Sequence, residues 1–181
     1  MNNEFYSVDI AGRKEDLPVI PLSNELKIAF FNLHGNSDLT EYCGKKIAEI
    51  LKNTDIEVLI TAESKGLQLT HVVARELGHK FYAVARKSHK LYMKDGISSS
   101  VKSITTGSIQ TLYLSAHDVN ILKGKKVAIV DDVISTGGSV MGLETLVKEA
   151  GGIVSKKAFV LAEGEAAART DIIYLGKIPL L

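Results

Sequence analysis

Two adjacent carboxylates, Asp131 and Asp132, close an apolar run and stand just ahead of a turn built from Ser135, Thr136, Gly137, Gly138 and Ser139. The run before them, Val-Ala-Ile-Val at 127–130, is short and β-branched and lies between Lys125 and Gly152. It predicts a buried strand of a parallel sheet. The apolar residues of 140–150 predict a helix directly after the turn. At such a strand-to-helix passage, small side chains let backbone N–H groups converge on one point, and the helix N-terminus adds positive potential. The hydroxyls of Ser135, Thr136 and Ser139 add donors. The turn is therefore suited to a phosphate. Asp131 and Asp132 do not hold that phosphate, because like charges repel. They suit the hydroxyls of a polyol, or a divalent cation, at the carboxyl end of a strand where open α/β sheets bind ligands. Phosphate and diol one sugar apart describe a ribose 5-phosphate.

Two plainer readings compete. One is a buried strand followed by an N-capped helix with no ligand. The other is the phosphoacceptor aspartate of a response regulator, but receivers keep their acidic pair near the start of the chain, and here it lies two-thirds along. The joint pattern of the thirteen residues 127–139 resembles the phosphoribosyl-pyrophosphate (PRPP) binding motif of type I phosphoribosyltransferases.

A second turn, Glu63, Ser64, Lys65 and Gly66, leaves an apolar strand at 57–62 and can approach the same crevice. Lys65 and the turn amides would meet a pyrophosphate, although strand exits often carry a glycine and a charge without binding anything. The turn resembles the Glu-Ala-Arg-Gly of adenine enzymes and the Glu-Ala-Ser-Gly of xanthine enzymes, where that family binds pyrophosphate. Arg86, Lys87, Ser88, His89 and Lys90 then open a serine-rich stretch, 86–106, with few large apolar groups. Read alone it is a solvated loop. A mobile basic lid has a role, however: cations stabilise a departing pyrophosphate, and closure keeps water from an oxocarbenium-like ribose. The adenine branch opens its own lid with an Arg-Lys…Lys-Leu pattern similar to Arg86, Lys87, Lys90 and Leu91.

The elements that must position these groups follow from periodicity. Residues 1–37 are irregular in pattern, with two of the three prolines and a candidate strand at 28–33. Leu39, Cys43, Ile47, Ile50 and Leu51 mark the buried face of a helix, with Ser37 or Asp38 as its N-cap. Further expectations are a helix at 67–77 stopped by Gly78, strands at 81–85, 108–115 and 155–162, and a last strand near 172–174. Alternating strands and helices predict an α/β fold, a doubly wound, mainly parallel sheet with flanking helices, in one domain spanning 1–181. The resemblance adds a small N-terminal hood at 1–37 that would hold the base.

The bulk composition is that of an ordinary globular domain, 45% hydrophobic and 24% charged over 181 residues. With 22 basic against 21 acidic residues, no global field draws it to nucleic acid or to a membrane. No apolar run approaches the roughly 20 residues of a membrane span, and the first residues lack a signal pattern. Its one cysteine, Cys43, excludes an internal disulfide, fits a reducing cytoplasm and reads as core filling. The five histidines have no metal-like spacing.

The resemblance implies Mg²⁺-dependent transfer of 5-phosphoribosyl from PRPP to a purine, releasing pyrophosphate, in a cytoplasmic homodimer of purine salvage. Catalytic roles fall on Asp131, Arg86 and Lys87. The ribose 5-phosphate falls on Asp131, Asp132, Ser135, Thr136, Gly137, Gly138 and Ser139, and the pyrophosphate on Glu63, Ser64, Lys65, Gly66, Arg86, Lys87 and Lys90. No direct protein ligand is expected for the metal, which PRPP would hold near Asp131 and Asp132. Adenine enzymes carry Ala-Thr-Gly-Gly-Thr, close to residues 135–139, so adenine leads. The xanthine branch is the second choice, because 31–35 (Phe-Asn-Leu-His-Gly) is similar to its Phe-Leu-Asn-His-Gln, with Asn and Leu exchanged. A PRPP-sensing regulator uses the same motif without catalysis. It needs a DNA-binding module, and the residues before the first core strand show neither a helix-turn-helix nor a basic patch.

Overall fold

The computed structural model describes residues 4–23, 26–102 and 109–181. The part read as irregular is an antiparallel meander of β1 (Phe5–Ile10), β2 (Arg13–Pro21) and β3 (Lys27–Ala29). Val8, Ile10 and Leu17 point inward at strand periodicity, and a tight turn with positive φ at Ala11 and Gly12 joins β1 to β2. Pro18 and Pro21 lie inside β2, and prolines there hide a strand from pattern reading. Of the strand expected at 28–33, only Ile28 and Ala29 pair in β3; Phe31 and Leu33 are buried beyond its end.

Helix α1 (Ser37–Leu51) is capped one residue earlier than expected, by Asn36, whose side chain accepts from the Leu39 N–H at 3.1 Å. Its inner face is Leu39, Cys43, Ile47 and Leu51, four residues apart, with Ala48 beside them. Ile50 falls on the flank of that row and is 43% exposed. Burial pushes the Cys43 thiol up to about 12, so it stays an inert thiol in the core.

The remaining elements are β4 (Val58–Ala62), α2 (Gly66–Glu76), β5 (Ala83–Ala85), β6 (Ile97–Lys102), β7 (Ile109–Leu114), α3 (Ala116–Leu122), β8 (Lys126–Ile134), α4 (Gly138–Glu149), β9 (Ile153–Glu163), a 3-10 turn Gly164–Ala168, and β10 (Ile173–Ile178). Five of the strands form one parallel sheet in the order β10-β9-β8-β4-β5. Side chains alternate between its faces. Leu59, Ala128 and Val130 meet α1, α2 and the meander, while Val58, Ile60, Val127 and Ile129 meet α4, β7 and Leu122 of α3. Both faces are covered, and the sheet is doubly wound as its strand–helix alternation predicts.

Besides the meander, two further elements lie outside the expectations from periodicity. The serine-rich stretch contains β6, paired antiparallel to β7 and lying against α4. Its inward face carries Ile97, packed against the core, and then Ser99, 7% exposed, so a serine interrupts the apolar alternation that would betray the strand. The part of the stretch at 103–106 lies outside the described residues. Helix α3 is the second: the Ser115 side chain accepts from the Asp118 N–H at 3.2 Å and Asp118 accepts in return from the Ser115 N–H at 3.3 Å. Asp118 further accepts from the Val84 N–H at 3.1 Å, fixing α3 to β5.

Candidate active site

The sheet order itself opens the site. Strand β4 pairs with β8 from Val58–Val127 to Ile60–Ile129, then β4 follows β5 while β8 follows β9 as far as Ile134. Beyond Ile60 and Ile129 the two central strands part, at the point where successive strands start to be added on opposite sides. This is the switch point at which open α/β sheets bind ligands. A cavity of about 440 Å³ fills the split, lined by Glu63, Ser64, Lys65, Lys87, Gln110 and the continuous segment 131–140.

Asp131 and Asp132 still belong to β8, so their rigid strand aims them into the split. The Asp131 carboxylate accepts from the Asp132 N–H at 2.9 Å. Its other support is an absence of bulk: a Cβ on Gly66 would stand 2.6 Å from Asp131 Oδ1 and 2.2 Å from Thr61 Oγ1. Only glycine at the first turn of α2 lets the carboxylate come that close. Burial, and then the charge of Asp132, push the Asp131 carboxyl up to about 7, against the pull of its backbone hydrogen bond and of Lys87. Burial raises Asp132 as well, opposed by Lys65, whose Nζ lies 3.9 Å from Asp132 Oδ2. That oxygen is buried and takes no hydrogen bond from the described residues. Near neutral pH the pair therefore holds less than two full charges.

The second turn faces the acids. The peptide Glu63–Ser64 is cis. Lys65 also lies over the Phe30 ring, 5.2 Å from its centroid, which ties the turn to the N-terminal segment. Glu63 turns away toward the lid: its Oε1 is 2.8 Å from Arg86 Nε, an ion pair without aligned N–H geometry, and its Oε2 accepts from the Lys87 N–H at 3.1 Å. Arg86 thus stands behind Glu63, and neither it nor Lys90 lines the cavity. Gly66 backs Asp131 from below the cleft. Lys87 is the lid residue that reaches in. His34 lies outside, with Nε2 3.5 Å from Ser64 Oγ and Nδ1 3.3 Å from Gln68 Nε2.

At the far end, Gly137 has φ +82° and leads into α4, which has no side-chain cap. The first N–H groups of a helix lack partners within it, so the amides after Gly137 are open to an anion. Hence Ser135, Thr136, Gly137, Gly138 and Ser139 all line the cavity, as do Asp131 and Asp132. Two residues beside the site carry no sequence signal. Gln110 lines it from β7, and Arg169 brings its Nη1 to 3.1 Å from where a Cβ on Gly137 would stand. Among the described residues no group of three or more His, Cys, Asp or Glu side chains could hold a metal ion.

The chain has counterparts among known proteins. Residues 32–174 match the phosphoribosyl transferase domain family. An adenine phosphoribosyltransferase of Methanococcus vannielii is 37% identical over 117 residues, 65% of this chain and 64% of that protein's length. A xanthine phosphoribosyltransferase of Exiguobacterium sp. is 31% identical over 149 residues, 82% of this chain and 76% of the relative. Among solved structures, adenine phosphoribosyltransferase from Thermoanaerobacter pseudethanolicus superposes with a TM-score of 0.74 at 23% identity, covering 90% of this chain and 95% of that one, which speaks for the fold. The matched family model spans both turns, the acid pair and the start of the last strand, and the chain belongs to the phosphoribosyltransferase family, in its purine branch.

Proposed function

We propose that the protein transfers the 5-phosphoribosyl group of PRPP to a purine, adenine first and xanthine second, and releases pyrophosphate. One observation carries the reading: a single cleft holds an anion-binding loop at 135–139, a pair of carboxylates, and a lysine-bearing turn at 63–65. That order suits a ligand with a phosphate at one end, a diol in the middle and a pyrophosphate at the other. The names of the relatives and the hydroxyl-rich loop favour adenine, and the Exiguobacterium relative keeps xanthine as the alternative.

In the reaction the bond from C1′ to the pyrophosphate oxygen breaks, its electron pair leaving with pyrophosphate. A purine ring nitrogen bonds to C1′ and gives up its proton. The chain's own groups act on the charges this creates. Lys65 and Lys87 meet the leaving anion, and Asp131 and Asp132 accept from the ribose hydroxyls and sit near a cationic sugar ring. Mg²⁺ fits this donor set, because two hard carboxylates, one with an unpartnered buried oxygen, suit an ion held mainly by phosphate oxygens. When bound it would neutralise charge on the pyrophosphate. The working unit is proposed to be a cytoplasmic homodimer: the lid's resemblance to the family supports the dimer, and the lone reduced Cys43 supports the compartment.

The test is pyrophosphate release on mixing the protein with PRPP, Mg²⁺ and each purine in turn. Adenine is expected to give the fastest release. Release with xanthine alone would move the protein to the second reading. PRPP binding with no release for any base would make it a sensor.

A further inference from the structure

The phosphate loop contains hydroxyls and amides but no cation of its own. Both lysines that line the cleft, Lys65 and Lys87, belong to the segments after β4 and β5, beside the acid pair. A sugar 5-phosphate carries between one and two negative charges at neutral pH. Amides and hydroxyls alone leave most of that charge unmatched.

Arg169, just past the 3-10 turn Gly164–Ala168, faces the loop from the other side. Its guanidinium is held by one edge. Nε donates to Asp171 Oδ1 at 2.9 Å and Nη2 donates to Asp171 Oδ2 at 2.8 Å. Asp171 is in turn gripped by Lys157, which also donates to Glu144 Oε1 at 2.7 Å. With that edge fixed, Nη1 has no acceptor among the described residues and stands 3.1 Å from the place a Gly137 Cβ would take. A side chain at residue 137 would crowd Nη1, so the glycine keeps that approach open. Arg169 flanks the cavity rather than lining it, and it meets the loop at Gly137, beside the first amides of α4.

Resting on the function proposed above, we infer that Arg169 is the cation for the 5′-phosphate, and that Asp171 and Lys157 are positioning residues that aim it. Arg169 thereby makes the loop selective for a phosphorylated over a dephosphorylated ribose. An oriented fork needs both edges, one for Asp171 and one for phosphate, so lysine is a poor replacement.

The experiment is calorimetry of wild type, Arg169→Gln, Arg169→Lys and Asp171→Asn with ribose 5-phosphate, AMP, adenosine and inorganic pyrophosphate. Removing a charge-assisted hydrogen bond to the phosphate weakens ribose 5-phosphate and AMP by about 10- to 100-fold in Arg169→Gln. Adenosine and pyrophosphate affinities stay within about twofold, Arg169→Lys recovers only part of the deficit, and Asp171→Asn falls between wild type and Arg169→Gln. An equal deficit for adenosine or pyrophosphate would reveal a merely structural role and overturn the inference, as would unchanged AMP affinity in Arg169→Gln. Wild type that binds neither ribose 5-phosphate nor AMP would instead overturn the proposed function.

Discussion

Replacing Asp131 by asparagine should stabilise the free protein at alkaline pH while crippling the site. The carboxyl lies between Gly66 and Asp132, and burial with its acidic neighbour lifts it from the usual carboxylate range to about 7. Going from about 4 to about 7 spans roughly three pH units at about 1.4 kcal/mol each, so the upper bound is about 4 kcal/mol. Asp131 borders an open cleft, and water there screens about half of this, leaving about 2 kcal/mol. The sign follows from proton binding. Between pH 4 and 7 the folded protein holds a proton on Asp131 that the unfolded chain has released. Wild-type stability therefore falls as pH rises through that window and levels off above it. Asparagine has no such proton, and it can keep the contact to the Asp132 N–H. The advantage of Asp131→Asn over wild type should be near zero at pH 4.5 and about 2 kcal/mol at pH 8, a melting difference of about 4–8 °C for a chain of this size. Paired thermal melts at several pH values give the curve. A difference that stayed flat with pH, or that favoured wild type at pH 8, would refute the electrostatic account of the acid pair.

Gly66→Ala should cost about 1–3 kcal/mol and weaken PRPP binding, since its Cβ would stand within 2.6 Å of Asp131 Oδ1; chemical denaturation and calorimetry measure both, and an unchanged variant would show that the carboxylate can sit elsewhere. Gly137→Val places a side chain at φ +82° and in front of Arg169, so PRPP affinity should vanish while the melt moves by only about 1–2 kcal/mol; retained affinity in a folded variant would count against the phosphate cradle. Lys87→Ala should lower kcat more than it raises KM for the purine, because its charge is needed most as pyrophosphate leaves; steady-state kinetics showing a pure KM effect would assign Lys87 to ground-state binding.

The contrast between legible and hidden parts has a physical basis. A strand buried on both faces must be apolar almost throughout, so β8 announces itself, and the small residues after it are those a phosphate approaching the backbone would require. Those constraints are local, and 127–139 can be read residue by residue. The meander and β6 obey weaker constraints. With one face packed and the other wet, each strand needs only two or three inward side chains, and at Ser99 the inward one is a serine. Arg86 illustrates a third limit. Its charge is evident in the sequence, but its partner in this state, Glu63, is set by how the turn after β4 meets the lid's first residues. A basic residue near a turn suited to pyrophosphate is not thereby its ligand; which of its nitrogens are free, and where they point, decides. Lys87 has no ion pair among the described residues and lines the cleft, whereas Arg86 has Nε beside Glu63 and Nη1 on the Tyr92 hydroxyl and stands outside it, so the two neighbours should differ: Lys87 is placed to meet an anion in the cleft directly. Arg169 is the opposite case, since its pairing with Asp171 leaves one nitrogen over, close to the loop at Gly137. In both places the deciding quantity is which edge of the cation is already taken, and that is a property of the fold.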